Sequence, residues 1–311
     1  MSTTETLSVS DTALTEKNTI QVQSLSPSPK VQEFQASSAQ SKDLVSAICR
    51  DGGVIIRNFA SSTTLANLEK ELRPHLDADE GYEGEFFSKS TRKCQGLAGR
   101  SPTFCSDLLC NPLWREVYET MLTTTTKSWN GNQLHECVSK PQLSACAAIA
   151  VQPGGKAQPL HRDDMVHHVD NPAVSAEDYR IGRDTSVGLF VAAKRTTKKN
   201  GATRFQPRSH LQATLDPPKE EDTFYAELEA GDAFMMLASC YHGGSANTSE
   251  DEERLIYVHF MIKGYLRQVS KPRCLPNRCR LTTLTGRKSV SRRASRKASR
   301  VSRVCAKKDR L

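Results

Sequence analysis

The segment TFYAELEAGDAFMMLASCYHGGSANTS, residues 223–249, runs from strand-like sequence through a Gly-Asp turn into an apolar strand, then places His242 before Gly243-Gly244. Short apolar runs bounded by Gly, Asn and Asp are the sequence mark of strands joined by turns. The same texture continues on both sides, in SACAAIAVQP (144–153), SVGLFVAA (186–193), GATRFQP (201–207) and RLIYVHFMIKGYL (254–266). No helical pattern alternates with these runs, which argues against a parallel sheet of βαβ units. Upstream the pattern is helical. DLVSAICRDG (43–52) predicts a short helix ending at Gly52-Gly53, and VIIRNF (54–59) a strand. SSTTLANLEKELRPHL (61–76) predicts an amphipathic helix capped by Ser61 or Ser62, with Leu65, Leu68 and Leu72 facing inward. NPLWREVYETMLTTTTKSW (111–129) predicts another, with Pro112 near its start. Helices first and short strands afterwards give a mainly β, α+β chain: helices buttressing a β-sandwich or jelly roll.

The charge is unevenly distributed. Of 43 Lys/Arg and 35 Asp/Glu, residues 267–311 hold 16 and one, leaving 27 and 34 for residues 1–266. The body is therefore mildly acidic and the tail strongly basic, so a nucleic-acid function would rest on the tail alone. Hydrophobic residues make up 37% of the chain, which is low for a compact globule and places part of the chain outside the core. Residues 1–42, rich in Ser, Thr and Gln, and the tail 269–311 are expected to be disordered, with a single folded domain over 43–268. Ten cysteines without a CxxC pair, no secretory signal and no apolar run of membrane-spanning length imply free thiols in a soluble, cytoplasmic protein.

A metal question is posed by QPLHRDDMVHHVDNP, residues 158–172, where His161-Arg162-Asp163 and His168-Val169-Asp170 both read His-x-Asp. Residues i and i+2 of a strand project from one face, so this spacing offers an imidazole and a carboxylate to one point. With a second, distant histidine it makes the 2-His-1-carboxylate facial triad of non-haem Fe(II) oxygenases. His161 follows a strand-like run, whereas His168 lies in a segment heading into Asn171-Pro172 that reads as loop. His242 is the expected third ligand, with glycines beside it that let the backbone come close to the site. Cys240 competes with it, as a ligand better suited to zinc or as a small buried hydrophobe. His259 falls on the opposite strand face from Arg254, Ile256 and Val258 and is expected to be structural. Arg254 opens the last strand; it either grips a carboxylate-bearing cosubstrate or pairs with Glu250, Asp251 or Glu252.

Taken together, CQGLAGRSPTF, QPLHRDD, NGATRFQPRSH, GDAFMMLASCYHGGSANTS and RLIYVHFMIKGYLRQ resemble the phytanoyl-CoA dioxygenase (PhyH)-type Fe(II)/2-oxoglutarate oxygenases. The resemblance spans roughly residues 43–268 and is nearest to the fungal branch that tailors secondary metabolites. It implies a double-stranded β-helix, a cupin-like jelly roll, with Fe(2+) held by His161, Asp163 and His242. It also implies that Arg254 grips the distal carboxylate of 2-oxoglutarate, that Thr203 and Gln158 make further polar contacts, and that O2 is the co-oxidant. The implied substrate is a hydrophobic small-molecule natural product, which is hydroxylated, desaturated, cyclised or endoperoxidised. Its lining is expected from EGEFFSKSTRK (83–93), the Met165–Asp170 loop and residues near Lys263–Tyr265. Neither a membrane nor a nucleic acid is an expected partner, and a homodimer is allowed. Two features depart from the family: Arg208 stands where glycine is usual, and the tail becomes a Ser/Arg/Lys tract. The alternatives are a metal-binding jelly roll without oxygenase activity and a basic-tailed nucleic-acid-associated protein.

Overall fold

The computed structural model describes residues 30–80 and 86–267. The chain enters through β1 (Gln32–Gln35), α1 (Ser41–Asp51), β2 (Gly53–Arg57), α2 (Ser62–Asp77), β3 (Thr91–Gln95) and α3 (Pro112–Leu122). Strands follow: β4 (Thr124–Asn130), β5 (Gln133–Ser139), β6 (Gln142–Val151), β7 (Ser186–Ala192), β8 (Thr203–Phe205) and β9 (Phe224–Ala226), then β10 (Ala233–Leu237), β11 (His242–Gly244) and β12 (Arg254–Ile262). Seven form one sheet in the order β1-β2-β10-β7-β12-β6-β3, antiparallel throughout except for the parallel β1–β2 edge. A smaller sheet, β11-β8-β9, supplies the second layer of a jelly roll, and β4-β5 stands as a hairpin of its own.

Local chemistry explains the helices. Ser61 caps α2, its Oγ accepting from the Thr64 N–H at 3.0 Å, and the buried stripe is Thr64, Leu68, Leu72 and Leu76, with Leu65 half-buried at its edge. Gly52 ends α1 in the left-handed conformation (φ 81°), where a Cβ would lie 2.2 Å from the Cys240 sulfur, so only glycine fits. The helices cover the outer face of the large sheet. There Trp114 and Phe104 meet the ring of His259 edge-on at 5.5 and 5.2 Å, and Trp114 is completely buried. Truncating such a tryptophan to alanine costs about 3–5 kcal/mol.

Two expectations need correction, and a third gains a detail. The helix predicted over 111–129 stops at Leu122, because a run of β-branched threonines begins there, and the two-residue turn Gly131-Asn132 folds the chain back into a hairpin with Asn130 opposite Gln133. The Gly-Asp turn expected at 231–232 is present, and the strands it joins lie in different sheets: β9 pairs with β8, β10 pairs with β2 and β7, and the turn through Gly231 (φ 92°) carries the chain across. Ordered structure also starts earlier than residue 43, since β1 pairs in register with β2, Gln32 opposite Val54. The rest of the N-terminal segment and the basic tail lie outside the described residues. Among those described, no helix is long and apolar enough to cross a membrane.

Candidate metal centre and cosubstrate pocket

His161 and His242 are brought face to face by their own backbones. Each N–H donates to the other's carbonyl at 2.9 Å, an isolated antiparallel bridge that links the segment after β6 to β11. The Asp163 N–H is fixed to the Ala238 carbonyl at 2.9 Å, and Asp163 opens a 3-10 turn. The side chains then converge: His161 Nε2 lies 3.4 Å from Asp163 Oδ1, and His242 Nε2 lies 3.3 Å from Asp163 Oδ2. The three ligand atoms all fall within 4.8 Å of one another.

The far side of each ring fixes its tautomer. His161 Nδ1 sits 2.9 Å from the Pro159 carbonyl and His242 Nδ1 3.0 Å from the Cys240 carbonyl. A carbonyl only accepts, so both Nδ1 atoms carry a proton, which leaves each Nε2, aimed at the carboxylate, as the ring atom that can ligate a metal. Two such nitrogens and an anion gathered at one point suit a cation. Burial penalises the Asp163 charge, but His242 beside it and hydrogen bonds from both histidines outweigh that penalty and hold the carboxyl well below the usual range. Burial alone would lower His242, yet Asp163 raises it.

The competing histidine and cysteine candidates lie elsewhere. His168 caps the 3-10 turn outside the cluster, and the neighbouring His167 bonds the Thr185 hydroxyl at 2.8 Å. Cys240 is fully buried and directed away, its sulfur beside the Gly52 carbonyl and His210. Burial, with Asp184 next, pushes its thiol up, so it behaves as a small hydrophobe.

A cavity of about 220 Å³ opens from the three groups along the inner face of the large sheet. Arg254 stands at one end of it. Its guanidinium is buried, donates to the Thr203 hydroxyl at 3.0 Å, and leaves Nε without a partner among the described residues. Desolvation lowers its pKa to about 10, so it stays charged at neutral pH. The acidic neighbours are engaged elsewhere: Glu253 with Arg73 and Lys194, Glu252 with Asn200. Among the described residues no carboxylate, Glu250 and Asp251 included, forms an ion pair with Arg254, whose one side-chain partner is the Thr203 hydroxyl. An internal cation with a single neutral acceptor calls for an anion from outside.

Gln158 also lines this end. Its Oε1 accepts from the Gly244 N–H at 2.8 Å, which leaves its NH2 group as the donor available to a ligand. A Cβ on Gly244 would stand 3.0 Å from that oxygen, so the close approach depends on glycine. Ser245 was not anticipated: its buried Oγ lacks a partner among the described residues and faces the same pocket. Its only sequence signal was its place just after the two glycines.

The remaining walls differ from expectation. Phe86, Phe87, Ser88 and Thr91 do line the cavity, whereas 83–85 lie outside the described residues. The Met165–Asp170 and Lys263–Tyr265 stretches do not line it. Lys263 instead donates to the Gly182 carbonyl and its backbone to Thr185, tying those loops to one another. The apolar wall comes from Ile149, Phe190, Ile256, Val258 and Phe260, with Ala145 and Ala147 leaving the space. Sequence alternation marks these residues as inward-facing without showing that they face a void. Arg208, where the resemblance leads one to expect glycine, adopts the left-handed conformation (φ 63°), its N–H bonded to the Asp51 carbonyl at 2.9 Å.

Comparison with known proteins agrees with this geometry. The phytanoyl-CoA dioxygenase (PhyH) family profile matches residues 48–255. This chain belongs to that family. It is an oxidoreductase, a dioxygenase that uses Fe(II), 2-oxoglutarate and O2. Among its relatives are two fungal dioxygenases. The dioxygenase peniF of Penicillium patulum is 40% identical over 252 residues, covering 80% of this chain and 81% of its own. The dioxygenase himG of Aspergillus japonicus is 40% identical over 237 residues, covering 76% and 73%. The jelly roll is shared with solved structures. The non-heme α-ketoglutarate-dependent epimerase SnoN from nogalamycin biosynthesis superposes with a TM-score of 0.51 at 20% identity, covering 72% of this chain and 82% of its own. HygX from Streptomyces hygroscopicus, with nickel and 2-oxoglutarate bound, gives 0.53 at 14%, covering 74% and 90%.

Proposed function

We propose that the chain oxidises a hydrophobic, polycyclic natural product of a fungal secondary-metabolite pathway in the cytoplasm. Iron is held by His161, Asp163 and His242, and the distal carboxylate of 2-oxoglutarate by Arg254 with Thr203 and Gln158. The observation that carries the cosubstrate assignment is Arg254: a buried, charged, carboxylate-free guanidinium opening onto the cavity that also holds the three candidate ligands. A dicarboxylate supplies the missing anion at one end and reaches the metal site with the other.

Bound Fe(II) together with 2-oxoglutarate supplies the activation of O2. The protein's own residues do the rest. The Pro159 and Cys240 carbonyls hold both imidazoles in the ligating tautomer. Phe86, 4.8 Å from the His161 ring and edge-on to it, walls the site with apolar surface. Ile149, Phe190, Val258 and Phe260 exclude water from the path between Arg254 and the open end. At about 220 Å³ the cavity is smaller than the roughly 300–1,000 Å³ of pockets that enclose drug-sized ligands. A polycyclic substrate would therefore present an edge to the site, with the cosubstrate occupying the Arg254 end. Cys49, Cys94, Cys110, Cys137, Cys146 and Cys240 are free thiols, in keeping with a reducing compartment.

The test is succinate formation from 2-oxoglutarate by iron-loaded protein, with His161→Ala and His168→Ala alongside. The proposal predicts turnover in wild type and His168→Ala and none in His161→Ala. Equal turnover in both variants would overturn the ligand assignment.

A further inference from the structure

The hairpin of β4 and β5 is a two-stranded arm exposed along its whole length, every residue from 125 to 138 facing solvent. Such a hairpin is marginal in water unless something covers it. Its surface is nonetheless sorted. Cross-strand partners share a face, so Thr125/Val138, Lys127/Glu136 and Trp129/Leu134 form three rows on one side, with only polar residues and Cys137 on the other. All the large apolar side chains thus fall on a single face: Trp129 is 68% exposed, Leu134 50% and Val138 53%. An apolar face of this kind marks an interaction surface.

The rows themselves indicate what covers it. The middle row is charged, positive on one strand and negative on the other, between two rows that carry the apolar groups. A membrane or a purely apolar ligand would strip water from both charges and offer neither a partner beyond the other on its own row. A second copy of the same face pairs them. With a two-fold axis parallel to the strands, β4 of one copy lies over β5 of the other. Lys127 of each copy then meets Glu136 of the other, and Trp129 of each meets Leu134. A two-fold axis across the strands would set Lys127 against Lys127, which is unfavourable. We propose that this face is the contact surface of a homodimer, closed by a two-fold axis parallel to β4 and β5. A single hairpin face covers less than the roughly 800 Å² per partner of a standard interface, so the dimer is a concentration-dependent one.

The test uses the full chain in sedimentation equilibrium over a micromolar-to-millimolar series, with tryptophan emission read in parallel. The chain has 2 tryptophans, and with Trp114 fully buried the shift reports Trp129. Wild type should dimerise, its emission moving to the blue as it does. Lys127→Glu alone and Glu136→Lys alone should each weaken dimerisation at least about tenfold, because like charges then face each other twice. Their equimolar mixture should recover the dimer, since each copy then meets its opposite. An unchanged thermal midpoint shows that the variants are folded. A monomeric wild type at every concentration, single variants that still dimerise, or a mixture of folded variants that stays monomeric would each overturn the proposal.

Discussion

Arg254 and His259 sit on the same strand, β12, and both are buried without a charged partner among the described residues, yet they meet that condition oppositely. Arg254 faces the cavity, and desolvation brings its pKa only to about 10, so it remains a cation. His259 faces the helices, between Phe104 and Trp114, and desolvation brings it to about 3, so it is neutral, with neither ring nitrogen bonded among the described residues. A histidine can give up its proton to become part of a core. An arginine cannot, so its burial makes sense only where a ligand brings the counter-charge. One face of the strand is built for packing, the other for an incoming anion.

The comparison fails most visibly if the metal centre does not need its carboxylate. Asp163→Ala should weaken metal binding by more than about a hundredfold, since loss even of outer-shell partners costs 10–100-fold. Anaerobic calorimetric titration with Fe(II) measures this. Next in size is Arg254→Met. It should weaken 2-oxoglutarate by about 2–5 kcal/mol, roughly thirtyfold to several thousandfold, while the thermal midpoint of the ligand-free protein does not fall. A large drop in that midpoint would make Arg254 a structural residue like its neighbour.

His259 sharpens the other side. Its folded pKa lies below the unfolded value of 6.5, so the unfolded chain takes up the proton first as the pH falls. Stability is therefore lost from about pH 6.5 down toward 3, by up to about 1.4 kcal/mol per pH unit. His259→Leu should remove that contribution, seen as the difference between the two proteins in urea midpoints across this window. Parallel curves would mean that His259 stays neutral in both states or pairs in one of them. The smallest effect is expected at Arg208, where glycine should relieve about 1 kcal/mol of left-handed strain, partly offset by loss of the 3.4 Å contact to Asp51. Chemical denaturation reads it directly.

Much of the site was legible in the sequence because its parts obey short-range rules. The i, i+2 spacing of His161 and Asp163 and the glycines after His242 are local features. So is the strand alternation that sets Arg254 apart from His259. What sequence hid depends on distant neighbours. The turn at Gly231 can be read, but not that it carries the chain from one sheet to the other. The cavity floor is written as Ala145 and Ala147, which elsewhere would be ordinary core. The Ser245 hydroxyl, without a partner among the described residues, becomes meaningful only once Thr203 and Arg254 are seen to line the same cavity. The helix over 111–129 was overextended because helical periodicity through Leu122 gave no warning of the β-branched run that follows.

The central claim is that one cavity joins a His161–Asp163–His242 iron centre to a carboxylate clamp at Arg254. Anaerobic titration of the Fe(II)-loaded protein with 2-oxoglutarate, followed by its visible charge-transfer band, tests it most directly, with succinate and the Arg254→Met protein as controls. The account predicts a saturable band with 2-oxoglutarate and none with succinate. In Arg254→Met the same band should appear only at far higher 2-oxoglutarate. A band that saturates at the same 2-oxoglutarate concentration with and without the Arg254 guanidinium would contradict it.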